Sequence, residues 1–366
     1  MEKRKRIYGL AQDPIYIGTG GYTIGRVDNT IVRDPITRIP KIPGSSIAGT
    51  WRYYMALKLY SYFKDEYKKD RKKRREIDNK DNLSELFENG TPNWVIGFEG
   101  NRYAAVKCAG QDEQPNAPYE DAENSGISRN TGHCGHCIVC KTFGFSKKDK
   151  SQQGLAFFTD MNILFFPVFT RLGVRWVTSP EILKLAGVNK DKIENPEDGR
   201  VIVETQDEKE GHMNLGWLNL EIDKTKEFPE IPMENELQEI LSSRRVLVPD
   251  DLISQIINAN LEVRTSVSID PLTGAAKQGA LFTSEAIPRG TVFHGEIRLM
   301  ERPVDVDIPG HRLIWNALDS CKTYFENFGI GGMVTRGFGR IKILPSLNGS
   351  DNKTGGGGTD GSTSKS

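Results

Sequence analysis

Residues 17–52 read IGTGGYTIGRVDNTIVRDPITRIPKIPGSSIAGTWR, a passage from extended chain into helix around which the rest of the fold is arranged. From residue 7 to residue 43 the chain is rich in Gly, Thr, Ile and Val with polar interruptions, which predicts two strands joined by a loop from Gly18 to Gly25. Pro43 closes the extended part, and Ser45 and Ser46 are suitable N-cap residues for a helix. Ile47, Trp51, Met55, Leu59 and Phe63 then recur at a spacing of four, one apolar stripe that would pack on the strands.

Working outward, residues 64–82 are strongly charged, and seven Lys or Arg face the single acid Asp70 between 67 and 75. A solvated helix end or mobile loop explains that run more simply than a dedicated RNA contact does. Residues 100–150 read as an irregular insertion organised around cysteines, residues 155–159 as a strand, and residues 189–239 as an acidic, peripheral insertion. Leu313, Ala317, Cys321, Phe325 and Phe328 mark the apolar face of a second helix that stops at Gly329, which makes Cys321 a core residue. A strand at 341–344 follows, and residues 346–366 are a Gly, Ser, Thr and Asp tail expected to be disordered. The order strand, strand, helix, insertion, strands, helix, Gly-rich turn, strand implies an α+β chain with a ferredoxin-like (RRM-like) core, a single domain over residues 1–345 with large insertions.

At 366 residues and 37% hydrophobic content the chain has enough apolar material for a sizeable core. Lys+Arg 49 balances Asp+Glu 49, which excludes a general cationic field and requires any nucleic-acid groove to be locally basic. No apolar run approaches the roughly 20 residues of a membrane helix, and MEKRKRIYGL lacks a signal-peptide core, so a cytoplasmic protein with no membrane partner is expected.

Of five cysteines, Cys108, Cys134, Cys137 and Cys140 fall in one stretch. Thiolates at x2 spacing in Cys134-Gly-His-Cys137-Ile-Val-Cys140 converge on one tetrahedral ion, so zinc is expected, with Cys108 placed first as fourth ligand and His133 or His136 as substitutes. Four protein ligands leave no open position. The ion would therefore fold the insertion and take no part in catalysis.

Gly18, Gly20, Gly21 and Gly25 allow close approach of the backbone to a phosphate chain. The Pro-Gly-Ser-Ser run at 43–46 opens a helix whose first N–H groups suit an anion, and Arg52 lies two turns further in. A second Gly-rich stretch, GIGGMVTRGFGRIKI at 329–343, carries Arg336 and Arg340, although a plain helix-to-strand turn would use the same residues.

VDNTIVRDP followed by IPGSSIAGTWR is similar to the N-terminal signature of the backbone subunits of Csm and Cmr complexes, the type III CRISPR effectors whose subunits belong to the RAMP superfamily. The resemblance implies a RAMP domain with an RNA-facing set of Gly18, Gly20, Gly21, Arg33, Ser45, Ser46, Arg52, Gly331, Gly332, Arg336 and Arg340. In that family the aspartate matching Asp28 cleaves target RNA at regular intervals. Ala48 stands where the family usually has Lys, so one basic contact is absent. Residues 261–293 resemble the thumb hairpin that displaces bases, with Ile269, Leu272, Leu281 and Phe282 as apolar wedges, and a surface hairpin without special role is the alternative.

The implied partners are a guide RNA, a target RNA, other effector subunits and neighbouring copies of the backbone subunit. RNA carries its own nucleophile, the 2′-hydroxyl, so a carboxylate-held Mg or Mn ion beside a twisted linkage would suffice for cleavage. Asp34 is a second candidate carboxylate, but its place before Pro35 equally suits a turn cap. The competing expectations are a subunit that holds guide RNA without cutting, a repeat-processing ribonuclease, and a zinc-containing nucleic-acid module. The second commonly uses an N-terminal histidine, whereas the first histidine here is His133.

Overall fold

Strand formation follows where apolar and β-branched residues can be buried on both sides of a sheet, and the run Met161–Thr170, MNILFFPVFT, is nearly continuous in this respect. The computed structural model describes residues 3–20, 27–69, 85–98, 106–109, 133–146, 151–205, 211–231, 233, 235–302 and 308–344. The strands among them are β1 (Arg4–Ala11), β2 (Lys41–Ile42), β3 (Gly144–Ser146), β4 (Ser151–Gln153), β5 (Ala156–Phe158), β6 (Met161–Thr170), β7 (Gly173–Thr178), β8 (Arg200–Val203), β9 (His212–Leu215), β10 (Leu218–Ile222), β11 (Arg245–Leu247), β12 (Glu262–Ile269), β13 (Ala276–Ala286), β14 (Val292–Leu299) and β15 (Ile341–Leu344).

A large mixed sheet runs in the order β15-β1-β14-β6-β7-β11-β8-β10-β9, with β2 added to β6 and β5 to β14. From β15 to β7 every neighbouring pair is antiparallel, whereas β7–β11 and β8–β10 are parallel. The helix Gly44–Ser61 lies in the chain between β1 and β6, and the helices His311–Ser320 and Lys322–Phe328 lie between β14 and β15. Ribbon β12–β13 pairs outside this sheet. Residues 189–239 supply β8, β9 and β10, which extend the sheet at its far edge and bury Val201, Ile202, Met213 and Leu215.

The expected apolar stripe is buried: Ile47, Trp51, Met55 and Leu59 are each at most 1% exposed. Trp51 meets Phe325 and Phe158 at ring-centroid distances of 5.1 and 5.8 Å, and its indole N–H donates to the Leu318 carbonyl at 3.0 Å. Gly44 is required at the helix start because a Cβ there would stand 2.6 Å from the Phe158 carbonyl oxygen.

Four expectations change in detail. The stretch after Ala11 forms no second long strand; residues 12–40 cross the surface through isolated bridges, Ile15 to Ile287, Gly18 to Ile31 and Arg33 to Pro40, before the short β2. Ser45 and Ser46 are not caps, since the helix begins at Gly44 with Pro43 at the N-cap, and Asp160 supplies the missing acceptor by taking the Gly44 N–H at 2.7 Å. The last helical stretch is broken at Cys321, which is buried as expected, while Phe328 is exposed beyond the break. The strand expected at 155–159 is shortened to Ala156–Phe158. Most of the basic run, Gly21, Gly25 and residues 346–366 lie outside the described residues. Among the described residues no helix is long and apolar enough to cross a membrane.

Trp51 fills the contact between the long helix and the two late helices, so Trp51→Ala should lower unfolding free energy by about 3–5 kcal/mol, read from denaturant titration of the purified chain.

Candidate nucleic-acid interface

Two sequence features widely separated in the chain meet at Tyr16. The Gly18 strand segment bridges Ile31, Thr19 N–H donates to the Thr30 carbonyl at 3.2 Å, and the Gly332 N–H donates to the Tyr16 carbonyl at 3.0 Å. Gly331, at φ +86°, passes so close that a Cβ would stand 2.2 Å from the Tyr16 oxygen. The two Gly-rich stretches are thus parts of one surface. Phe338 extends it: its ring meets Tyr16 at 6.4 Å, and the Arg264 guanidinium lies 4.6 Å from its centroid.

Beside this junction the segment around Asp28 is laid in parallel on the base of β13. The Asn29 N–H donates to the Thr283 carbonyl and the Glu285 N–H donates to the Asn29 carbonyl, each at 3.0 Å. Asp28 itself is exposed. Its Oδ2 accepts from the Thr283 N–H at 2.8 Å and the Thr283 hydroxyl at 2.9 Å, and these donors, the backbone N–H first, hold its carboxyl below the ordinary aspartate value. No hydrogen bond to Oδ1 is found among the described residues. Oδ2 is fixed by the two donors of Thr283.

The cations expected to face phosphate divide into two groups. Arg33 is engaged within the protein, donating to Asn258 Oδ1 at 2.9 Å and to the Ile31 carbonyl at 3.1 Å, and pairing with Glu285 at 2.7 Å. Arg52 is also engaged: its Nε donates to the Cys108 carbonyl at 2.6 Å and its Nη2 to His133 Nδ1 at 2.9 Å. Arg340 is half exposed and grips Asp13 with both arms, at 2.5 and 3.0 Å. Arg336 is exposed at the tip of the second Gly-rich stretch, and Gly20, at φ +80°, has open space around it.

Asp34 proves to be a turn cap. Its Oδ1 accepts from the Ile36 and Thr37 N–H groups, each at 3.0 Å, and its Oδ2 meets Lys41 at 3.2 Å. Those donors, Thr37 foremost, bring its pKa down to about 2. Lys41 bridges onward to Asp160 at 2.7 Å, and Asp160 holds the helix start, so the Pro-Gly-Ser-Ser run is already served by a carboxylate of the protein.

In the cysteine stretch the Sγ atoms of Cys108, Cys134, Cys137 and Cys140 all lie within 4.8 Å of one another. The Cys134 and Cys140 sulfurs are 3.9 Å apart, close to the edge of about 3.8 Å that a tetrahedron of 2.3 Å metal–sulfur bonds requires. Backbone N–H groups of Cys137 and Cys140 point at the sulfurs of Cys134 and Cys137, at 3.3 and 3.4 Å. His133 is not part of the sulfur set. Arginine only donates, so His133 Nδ1 accepts from Arg52, and the ring hydrogen-bonds Cys140, whose thiol is held low by Cys108 first, then Cys134 and Cys137, with His133 adding to them.

A comparison of the sequence with known families matches the RAMP superfamily over residues 11–342. The chain belongs to the RAMP superfamily. It is 31% identical over 223 residues, 56% of this chain and 74% of the relative, to the CRISPR system Cmr endoribonuclease Cmr4 of Pyrococcus furiosus. A local match of 44 residues, 52% identical, covers 12% of this chain and 21% of the CRISPR system Cms endoribonuclease Csm3 of Enterococcus italicus. Among solved structures, a chain of the type III-B Cmr-beta complex bound to cognate target RNA superposes with a TM-score of 0.54 at 14% identity, covering 93% of this chain and 96% of that one, which is a likeness of fold. The resemblance to backbone subunits of type III CRISPR effectors therefore holds.

Within this RAMP surface, sequence reasoning missed Thr283, Glu285 and Asp160, none of which stands in a motif; a run of ordinary strand residues such as 281–286 gives no sign of which one will meet Asp28. Because Asp34 is depressed from 3.8 to about 2, its contribution to stability is fully present above about pH 4 and is lost as pH falls toward 2. Asp34→Asn should flatten the acid limb of the melting temperature between pH 4 and pH 2, measured by calorimetry.

Proposed function

We propose that this chain is a guide-RNA-binding backbone subunit of a type III effector and cleaves target RNA at regular intervals, with Asp28 as the cleavage residue. The observation that carries the reading is the exposed Asp28 carboxylate, pinned through one oxygen at the base of the β12–β13 ribbon and next to the junction of both Gly-rich stretches. The β12–β13 ribbon is the candidate for the thumb, with Ile269, Leu272 and Leu281 exposed by 65, 94 and 66% as apolar wedges. The order β15-β1-β14-β6, antiparallel throughout with helices in the two crossovers, supports a ferredoxin-like core inside the single domain 1–345. The relatives' names, endoribonucleases of Cmr and Cms systems, agree with the activity.

Guide–target pairing selects the sequence, while the protein reads backbone and shape through Gly18, Gly20, Gly332, Arg336 and Arg340. The partners are guide RNA, target RNA, neighbouring copies and other effector subunits. The exposed carboxylate of Asp28 would hold a Mg or Mn ion, because such ions take one or two carboxylates together with phosphate oxygens. When bound it neutralises charge developing on the phosphate. Asp28 is ionised at neutral pH and the ribbon holds the linkage twisted; the 2′-hydroxyl gives its proton to water as its oxygen attacks phosphorus, the bond to the 5′-oxygen breaks, and that oxygen takes a proton from water, leaving a 2′,3′-cyclic phosphate and a 5′-hydroxyl.

Zinc is the ion that suits the four-cysteine set, and with Cys108 as the fourth ligand it closes the coordination and ties residues 106–109 and 133–143 to the long helix. Arg52, seated against Cys108 and His133, offsets the excess negative charge of four thiolates. Elemental analysis should find one zinc per chain, and Cys137→Ser should lose the metal and much of the folded population; a metal-free wild type of unchanged stability would remove the assignment.

Asp28→Ala should leave guide loading and target binding intact and abolish metal-dependent target cleavage in the assembled complex. Cutting at the wild-type rate with regularly spaced products would disprove the role of Asp28, and binding without any cutting by the wild type would make the chain a purely guide-holding subunit.

A further inference from the structure

The β12–β13 ribbon has two unlike faces. Directly opposed residues share a face, so Thr283 lies with Thr265, Leu281 with Val267, and alternate positions add Val263. Val263, Val267 and Leu281 are exposed apolar side chains on this face. The other face carries Arg264, Ser266, Phe282 and Ser284, and it is anchored to the protein by Arg264 on Phe338 and Ser284 near Met333. Thr283 stands on the apolar face between Leu281, towards the tip, and Glu285, at the base, and it is where Asp28 is fastened.

The fastening is cyclic. The Thr283 hydroxyl donates to Asp28 Oδ2 at 2.9 Å and accepts from the Asp28 N–H at 3.1 Å, while the Thr283 N–H donates to the same Oδ2 at 2.8 Å. Rotation of the carboxylate is thereby restricted, and the plane that carries Oδ1 is set by a residue of the ribbon instead of by the loop in which Asp28 stands. The neighbouring Asn29 bonds to Thr283 and Glu285 hold the loop itself in place without the hydroxyl.

We propose that Thr283 is the positioning residue for Asp28, so that the seating of the ribbon's apolar face among the bases fixes where the carboxylate stands relative to the scissile phosphate. This rests on the reading of Asp28 as the cleavage residue. Base displacement and cleavage become two outputs of one rigid part, and a ribbon that is out of place carries the carboxylate away with it. Hydrogen bonds to a charged acceptor are short-range and directional, so loss of the hydroxyl loosens the carboxylate while leaving the backbone pairing.

The test uses the effector complex reconstituted with guide RNA and this chain as wild type, Thr283→Val, Thr283→Ser, Asp28→Ala, or the Asp28→Ala and Thr283→Val pair. Single-turnover cleavage, target affinity and the fluorescence of 2-aminopurine placed at a displaced target position are measured. Thr283→Val is expected to cut about tenfold more slowly, the effect of one lost charge-assisted hydrogen bond, with target affinity and 2-aminopurine signal unchanged. Thr283→Ser is expected to restore the rate, the metal concentration for half-maximal cutting to rise in Thr283→Val alone, and the pair to be no slower than Asp28→Ala. Thr283→Val cutting at the wild-type rate while Asp28→Ala is inactive overturns this inference alone. Asp28→Ala cutting at the wild-type rate overturns the function reading and this inference with it. A lost 2-aminopurine signal in Thr283→Val, or no rescue by Ser, would make Thr283 a structural residue of the ribbon and overturn the proposal as well.

Discussion

The parallel pairing of residues 28–31 with the base of β13 is the contact on which the rest of the surface depends. Two backbone hydrogen bonds of 3.0 Å through Asn29 join a loop near the N-terminus to a ribbon more than 250 positions later, and the Arg33–Glu285 ion pair at 2.7 Å closes the same seam from below. Contacts so distant in sequence carry a large loop-closure entropy, and they persist because Ile15, Ile31 and Ile287 are buried around them. Glu285 is 11% exposed in its side chain and Arg33 23%, so removing one partner would leave a poorly hydrated charge, and the seam tolerates neither change alone.

The second dependency is between the cysteine cluster and the long helix. Arg52 projects from that helix to the Cys108 carbonyl and to His133, and His133 in turn reaches Cys140. An insertion that has few apolar residues of its own is in this way fastened to the core by a charged side chain and by sulfur chemistry. The cost is that Arg52 no longer faces outward. The same residue cannot serve both a sulfur cluster and a phosphate chain at a few ångströms from each.

Periodic features were readable from the sequence because periodicity is a local property. The stripe Ile47, Trp51, Met55 and Leu59, the buried Cys321 and the strand Ile341–Leu344 each follow from spacing, and the x2 cysteines announce their own convergence. What spacing does not encode is which charged group meets which. Arg33, Arg52 and Arg340 stand in suggestive motifs, yet each has a protein partner supplied by a remote segment: Glu285, the Cys108 carbonyl with His133, and Asp13. The helix cap was misplaced for the same reason, since Asp160 lies 116 positions on in the sequence, just before the strand that pairs with β2, and takes the role that Ser45 or Ser46 would have filled in an isolated helix. Asp34 was legible as either of two things, and only the donors at Ile36 and Thr37 decide for the turn.

These internal pairings bear on how a chain of balanced charge holds a polyanion. Each phosphate neutralised by a free cation adds to the salt dependence of binding, by about 0.7 for single strands, but a cation already paired with a carboxylate adds less because it brings its own counter-charge. With Arg33 and Arg52 engaged within the protein and Arg340 shared with Asp13, Arg336 is the exposed cation that remains of the expected set. In the proposed assembly backbone N–H groups of the Gly-rich junction and the apolar ribbon would add to what Arg336 supplies, and both depend less on ionic strength than a cation does. Affinity would accumulate by repetition of a weak, shape-reading contact along the guide, and that is a form of binding in which the neutral charge of the chain is no obstacle.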